Sequence, residues 1–208
     1  MKRLVCALLL AAAALAAAPR ITYIKSFPRS APAYVDIRVE QDGRGEYREA
    51  ADDESPVAFQ LNERERSEIF ALAVKLNHFQ RPLESNLKVA FTGSKTFRWE
   101  DGAEKHEVQF NYSLDPAARD LWDWFEKITE SVLRRVVLER SARYDKLGVN
   151  QALLQLQSTY NANRLVAATQ LLPVLDRIAK NESYIHMARE RAAGLADAIR
   201  GVKPTAAQ

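Results

Sequence analysis

Three histidines are the residues in this chain best suited to bind a metal or move a proton. His78, His106 and His186 are far apart in the sequence, and none has a second histidine four positions away, as the HExxH zinc motif requires. His186 has Glu182 and Glu190 one helical turn on either side, a spacing typical of a surface pair on a helix. We therefore expect no metal centre.

Motifs for covalent catalysis, phosphate binding and calcium binding are also weak. Thr92-Gly93-Ser94 lacks the strand-to-helix elbow that exposes the serine of G-x-S-x-G enzymes. Asp42-Gly43-Arg44-Gly45 opens a hairpin and not a helix, so it does not predict a phosphate loop. Asp52-Asp53-Glu54 lacks the alternating oxygen ligands of a calcium loop. The sequence indicates no catalytic residue and no cofactor, and we expect a protein that is not an enzyme.

The N-terminal residues predict export. Met1-Lys2-Arg3 is cationic, and residues 4–18 form an unbroken apolar run rich in leucine and alanine. This order is typical of a bacterial Sec-type signal peptide, and the run is shorter than the roughly 20 residues of a membrane-spanning helix. Ala14-Leu15-Ala16 fits the cleavage rule, so residues 1–16 are predicted to be removed. We expect a periplasmic or secreted protein with no transmembrane segment after cleavage.

Removal of this leader changes the chemistry of the chain. Cys6 is its only cysteine, so the mature protein would have no disulfide and no thiol chemistry. Lys2 and Arg3 carry two positive charges, and their loss lowers the formal net charge from +3 to +1. No dense basic block interleaved with aromatic residues remains, so we expect no nucleic-acid partner.

The first half of the mature chain has the periodicity of strands around one helix. Apolar residues alternate with polar ones over residues 35–39, 57–61 and 87–91, each of which predicts a strand. Asp101-Gly102 lies between two further alternating runs and predicts a hairpin turn.

One helix is predicted between these strands. Asn62 is suited to cap its N-terminus, and Glu65, three residues later, completes a capping box. His78 and Pro82 mark its end.

The second half has helical periodicity throughout. Asp115-Pro116 predicts the start of a long helix that continues through Arg143 and leaves the sheet as a connector. Three further helical segments are predicted, with Asn150 capping the first, a break near Leu172 in the second, and Gly201 ending the third. These segments are residues 151–160, 164–180 and 182–200.

These patterns predict an α+β fold with a small antiparallel sheet and a packed helix, followed by a long connector helix and a C-terminal helical hairpin assembly. The predicted parts are the leader, an α+β domain (17–130), a helical domain (131–201) and a disordered tail (202–208). The first domain resembles, in architecture alone, small sheet-plus-helix domains of uncharacterised exported bacterial proteins.

The last two helices carry a further resemblance. Leu171-Leu172-Pro173-Val174-Leu175, the turn at Asn181 and the small residues around Arg189 resemble a single HEAT-type repeat over residues 165–199. That resemblance implies a surface for binding other proteins. An ordinary helical hairpin is the alternative, because no second copy is evident and solenoids need several repeats.

Four residues of the long helix are candidate partner contacts: Trp124, Arg134, Arg135 and Arg143. Trp124 flanks the apolar stripe and can be partly exposed. The arginines make the connector basic, which usually indicates a solvated face with Glu130 and Glu139 as helical partners. Weak contact with an anionic membrane surface is the alternative.

Taken together, the sequence favours an exported, non-catalytic binding or scaffolding module of the cell envelope that contacts a protein partner through its helical half. The alternative is a periplasmic small-ligand or glycan binder, or an enzyme without a recognisable motif. A concave pocket lined by Trp99, Trp124 or Tyr112 would favour the alternative.

Overall fold

The computed structural model describes residues 18–201, so the predicted leader and tail lie outside the described residues. The described chain is α+β, with six strands in one antiparallel sheet of order β4-β3-β2-β1-β5-β6. None of the helices in residues 18–201 is both long enough and apolar enough to cross a membrane. The strands are β1 (Arg20–Ser26), β2 (Tyr34–Glu40), β3 (Arg44–Arg48), β4 (Val57–Gln60), β5 (Ser94–Asp101) and β6 (Glu104–Phe110).

Strand β1 lies at the centre of the sheet, although its sequence does not alternate clearly. Ile21 and Tyr23 are buried on the face covered by helices, and Thr22 is buried on the opposite face. Tyr23 lies opposite Ile37 on β2 and Phe97 on β5. Ile24 lies on the outer face and Lys25 on the face covered by helices, so the polar-apolar alternation that marks a half-buried strand is lost.

The predicted hairpin turn is confirmed. Gly102 has a φ of 57°, and Asp101 pairs with Glu104 to close the β5–β6 ladder.

At the other side of the sheet, Gly45 lies opposite Phe59, and a Cβ at Gly45 would come within 2.2 Å of the Phe59 ring. Glycine at this position therefore lets the Phe59 ring lie against the backbone of β3.

Helix α1 (Glu63–Lys75) begins as predicted. The Asn62 side-chain oxygen accepts a hydrogen bond from the Glu65 backbone N–H at 3.0 Å, and the Asn62 N–H donates to Glu65 Oε2 at 2.9 Å. This reciprocal pair gives hydrogen-bond acceptors to two backbone N–H groups that would otherwise have none at the helix N-terminus. A 3₁₀ turn at Asn77–Phe79 then ends the helical path.

The strand predicted at residues 87–91 is wrong. Residues 86–92 form an exposed arch that belongs to no ladder. Side-chain atoms of Asn111 bond the arch instead, since its Oδ1 accepts from the Thr92 N–H at 2.9 Å and its Nδ2 donates to the Ala90 carbonyl at 3.2 Å. The alternation of apolar and polar residues therefore predicted a strand in a segment that has no partner strand within residues 18–201.

Four helices follow the sheet: α2 (Pro116–Tyr144), α3 (Val149–Asn161), α4 (Leu172–Lys180) and α5 (His186–Arg200). Asn150 does not cap α3, because the helix already begins at Val149. The helix predicted over residues 164–180 forms only as α4, because residues 164–167 are not helical and Ala168–Leu171 form a 3₁₀ turn. The predicted break therefore lies at the start of α4, with Pro173 in its first turn. Helix α5 begins at His186, four residues later than predicted, and ends at Gly201 in a left-handed conformation (φ 74°).

Two hydrophobic cores divide the described chain, and α2 contributes to both. The first core lies between the sheet and helices α1 and α2, and it extends along α2 as far as Val132. The second begins at Leu138 and fills the space among α2, α3, α4 and α5. Below, the sheet half means the elements around the first core, and the helical half means those around the second.

Candidate functional site

Trp124 lies in a groove between α1 and α2. Its indole is half-buried against the first core, and Lys127 Nζ lies 5.1 Å from the ring centroid. Asp123 beside it bonds Lys127 and Arg164, and these contacts lower the pKa of Asp123 although burial opposes the shift. The groove has a volume of about 350 Å³ and is also lined by Glu68, Ala71, Leu72, Lys75 and Asp120.

Arg134 and Arg135 make contacts within the molecule. Arg134 donates to Gln155 Oε1 on α3 at 2.8 Å. Arg135 donates to Gln170 Oε1 at 2.6 Å and to the Ala58 carbonyl of β4 at 2.5 Å. The structure therefore brings Arg134 to the neighbouring helix and Arg135 to the junction between the two halves.

Arg143 lies near the end of α2, far along the helix from Trp124. It is exposed, and its guanidinium carbon lies 5.8 Å from the ring centroid of Tyr144. Glu130, which has helical spacing to Arg134, instead bonds Arg164 at 2.8 and 2.9 Å. The four residues singled out from the sequence thus lie in four separate environments and do not form one site.

A second groove runs between α3 and α5 in the helical half. It has a volume of about 380 Å³, and buried Leu195 forms part of its floor. Gly194 leaves it open, because a Cβ there would meet no atom within 4 Å. Polar groups border it, and Arg191 Nε donates to Gln157 Oε1 at 3.1 Å. Its other lining residues are Tyr160, Asn161, Met187, Glu190 and Ala198.

The helices that form this groove belong to two stacked hairpins. The second part of α2 packs with α3, α4 packs with α5, and the pairs meet through α2 with α4 and α3 with α5. Tyr184, in the turn before α5, donates from its hydroxyl to the Ala142 carbonyl of α2 at 2.8 Å. The outer face of the last hairpin carries exposed Arg177, Lys180 and Asp197. A polar outer face is typical of a terminal repeat in a solenoid.

Lys95 is a buried ionisable residue that the sequence analysis missed. Its side chain is fully buried beneath α2, and its ammonium lies 4.5 Å from the centroid of the Trp122 ring. Burial lowers the pKa of Lys95, and the nearby positive charge of Lys25 lowers it further. The sequence could have revealed this burial, because alternate residues of a strand face the same side and Lys95 lies two and four positions before Phe97 and Trp99.

Hydrogen bonds engage the whole ammonium group of Lys95. It donates to Thr92 Oγ1 at 3.1 Å, to the Gly93 carbonyl at 3.2 Å and to the Asn111 carbonyl at 2.8 Å. An ammonium has three donors. Because all three are used, Lys95 holds the arch against the end of β6 and has no N–H left for a ligand.

The Glu126 carboxylate accepts hydrogen bonds from three polar groups near Lys95. Lys25 Nζ lies 2.9 Å from its carboxylate, and the Tyr23 hydroxyl and Trp122 Nε1 donate to it at 3.1 and 3.0 Å. Burial and the negative charge of Glu126 raise the pKa of Tyr23 well above its usual value. The cluster anchors α2 to β1, since the carboxylate of α2 is bonded by two residues of that strand.

The three histidines do not come together. The His78 ring stacks on Trp99 at 4.2 Å, and His106 lies opposite Trp99 in the β5–β6 ladder. The predicted pair is confirmed for Glu190, whose Oε1 lies 3.0 Å from His186 Nε2, but Glu182 precedes α5 and is not on the same helix. Among residues 18–201, no group of three histidine, cysteine, aspartate or glutamate residues is placed to hold a metal ion.

No protein-family model matches the sequence, and the comparison with curated proteins gives no significant match.

Proposed function

We propose that this chain is an exported, non-catalytic binding module of the cell envelope that holds a protein partner through its helical half. The observation that carries the proposal is the open α3–α5 groove, with its apolar floor and polar border. Peptide and helix recognition commonly uses such grooves, where apolar anchors supply affinity and border groups fix the register.

The arrangement of the helices supports this proposal. Two stacked hairpins with a polar outer face agree with the resemblance to HEAT-type repeats, which bind proteins along their helical surfaces. All three N–H donors of the buried Lys95 ammonium are hydrogen-bonded within the protein, which favours a structural role for Lys95 over a role as a reactive amine. The leader predicted from residues 1–16 supports the envelope as the place of action.

The test is site-specific photocrosslinking in the native envelope. A photoreactive amino acid at Asn161, on the groove border, should capture one dominant protein. The same amino acid at Gln109, exposed on β6, is the matched control and should not capture it. Equal capture from both positions, or none from Asn161, would overturn the proposal.

A groove-filling variant separates binding from folding. Gly194→Trp should place an indole in the open groove without a clash at Cβ, and it should abolish capture while the far-UV circular dichroism stays unchanged. Gly194→Ala adds only a methyl group and should retain capture. Retained capture in the tryptophan variant would place the partner elsewhere.

The α1–α2 groove favours a second candidate function, the binding of a small polar ligand such as a glycan. An indole beside carboxylates and amines offers a stacking surface with hydrogen-bonding groups around it. A thermal-shift screen with oligosaccharides tests this function. A ligand that raises the melting temperature of the wild type but not of Trp124→Leu would support it, and a ligand that stabilises both equally would not.

A further inference from the structure

Helices α1 and α2 run antiparallel along the groove between them. Glu65, in the first turn of α1, accepts a hydrogen bond from the segment that precedes α4, and the same segment bonds Ser131 in the middle of α2. Beyond the other end of α1, Arg81 forms a salt bridge with Asp115, the N-cap of α2. Side chains of the two helices therefore face each other across the α1–α2 groove in reverse order.

The charges at one end of this groove are paired within their own helices. Glu68 of α1 lies there opposite Lys127 of α2. The Glu68 carboxylate lies 2.8 Å from Arg64 Nε, and Lys127 Nζ lies 2.8 Å from Asp123 Oδ2. Both pairs have the spacing of neighbours on one helix face. A ligand at this end therefore meets charges that are already engaged.

The other end of the groove has two charges without an ion-pair partner in residues 18–201. Lys75 of α1 and Asp120 of α2 both line the groove, and both are exposed. Neither forms a salt bridge with the other or with any other residue in that range. A ligand at this end can therefore lie between an ammonium on one wall and a carboxylate on the opposite wall.

The groove and its ion-pair partners carry no net charge. The lining residues include two lysines and three carboxylates. Arg64 and Arg164 pair with two of these carboxylates, and Glu130 pairs in turn with Arg164. The salt bridge of Arg81 with Asp115 adds no charge. A ligand with one charge would be attracted by one wall and repelled by the other, whereas a zwitterion is attracted by both.

The floor of the groove is apolar. Leu72 is buried, Trp124 is half-buried, and the small side chain of Ala71 leaves space beside them. The Lys127 ammonium lies 5.1 Å from the centroid of the Trp124 ring, which reduces the area on which a sugar ring could stack. The volume of about 350 Å³ is near the lower limit for ligand pockets, roughly 300–1,000 Å³. These dimensions suit a small ligand with an apolar side chain.

We propose that the α1–α2 groove binds a zwitterionic amino acid or short peptide that carries an apolar side chain. The carboxylate of the ligand accepts a hydrogen bond from the Lys75 ammonium, and the ammonium of the ligand donates to the Asp120 carboxylate. The apolar side chain lies against Leu72 and the Trp124 ring. The inference rests on the second candidate function, the binding of a small polar ligand, and names the chemical class of that ligand. It does not depend on the α3–α5 groove.

Isothermal titration calorimetry with L-leucine and with leucyl-leucine tests the proposal. At least one of the two should bind with saturation at one site, and the tighter ligand distinguishes a free amino acid from a peptide. Lys75→Gln and Asp120→Asn should each weaken binding about fivefold, the upper range for ion pairs that water still reaches. Lys88→Gln with Asp52→Asn removes a lysine and an aspartate from other exposed positions and should leave binding unchanged.

Analogues of the bound ligand test the two charge contacts separately. N-acetylation removes the positive charge of the ligand, and amidation of its carboxyl group removes the negative charge. Each analogue should bind more weakly than the parent ligand. Asp120→Asn should not weaken binding of the acetylated analogue further, and Lys75→Gln should not weaken binding of the amide further. Full additional losses in these combinations would overturn the proposal.

The failure of this inference is distinguishable from the failure of the small-ligand function. If neither leucine nor leucyl-leucine binds, or if the control variant loses binding equally, the zwitterion inference is overturned. An oligosaccharide that stabilises the wild type but not Trp124→Leu would in that case retain the small-ligand function. Far-UV circular dichroism of each variant should match that of the wild type, because the substituted side chains are exposed.

Discussion

The two halves of the chain fill their cores with different side chains. Aromatic rings dominate the core of the sheet half, where Tyr23 stacks on Phe125 at 4.8 Å and Phe97 lies 5.2–5.3 Å from Phe110 and Phe79. The core of the helical half is mostly aliphatic, with leucines on α3 and α4 and small residues on α5, and Tyr184 is its buried aromatic residue. Those small residues are Ala188, Ala192 and Ala196.

The difference reflects the spaces to be filled. Two helices crossing a twisted sheet leave wide gaps that rings can occupy, whereas alanines let two helices approach closely. A close helical layer is thin and leaves much of each helix at the surface. More of each helix therefore lies at the surface in the helical half, where the α3–α5 groove is found.

The largest effect should come from truncating a ring of the sheet half. Phe97 is fully buried and contacts four other aromatic rings. Phe97→Ala should lower the free energy of unfolding by about 3–5 kcal/mol, through lost burial and a residual cavity. Urea unfolding followed by tryptophan fluorescence measures this loss. Val74→Ala, at a position 62% exposed, is the control and should change stability by less than about 0.5 kcal/mol.

A truncation in the helical half should have a smaller and more local effect. Leu156→Ala removes a fully buried side chain of α3 and should cost about 3 kcal/mol. Amide hydrogen exchange should speed up in α3, α4 and α5 more than in β1 and β5. Equal acceleration in the central strands would show that the two cores are not distinguishable in stability.

Glu65 tests the contact between α1 and the segment that precedes α4. Its Oε1 accepts from the Ala167 N–H at 3.1 Å, in addition to the capping box at Asn62. Glu65→Ala leaves these two partly buried N–H donors without their acceptor and should cost about 1 kcal/mol. Chemical denaturation at neutral pH measures the loss, and Glu68→Ala on the same helix is the control.

The same residue gives a pH dependence with a defined sign. Burial raises the pKa of Glu65 above its usual 4.5. The folded protein then binds a proton more readily than the unfolded chain, so this group lowers stability as pH rises through the interval above 4.5. Glu65→Gln cannot titrate, and its stability relative to the wild type should increase from pH 4.5 toward neutrality. A constant difference across that interval would contradict the shift.

The smallest expected effect is stabilising. Gly194 lies inside α5 with open space at its Cβ position. Gly194→Ala should raise the free energy of unfolding by about 0.5–1 kcal/mol, because alanine loses less backbone entropy in a helix. A thermal melt measures the change, and destabilisation would indicate that the groove is filled in the folded state.

Local signals were the part of this fold that the sequence could predict. The capping box at Asn62, the turn at Asp101-Gly102 and the break before Pro173 each depend on residues close together in the chain. The α+β class followed from where strand periodicity gives way to helical periodicity. Strand β1 was not distinguished, because Ile24 on its outer face and Lys25 on its inner face break the alternation.

Contacts between distant segments were beyond the sequence. Arg135 has the same pattern as a solvated helix residue, yet its acceptor on Ala58 lies 77 positions away. Nothing in the alternation of Leu87, Val89 and Phe91 reveals that no strand will pair with them. Lys95 is a partial exception: the sequence analysis missed it, although its position on the same side of β5 as Phe97 and Trp99 could have revealed a buried ammonium.

Helix α2 is a single hydrogen-bonded rod that serves two cores, with Ile128 in one and Leu138 in the other. If one core unfolds, the part of α2 that it covers becomes exposed. The part of α2 in the other core then ends in a longer unsupported segment. Cooperative helix formation opposes such a division. Global unfolding should therefore show one transition for both halves, even though the helical half opens locally more often under native conditions. Leu133→Pro should split that transition into two.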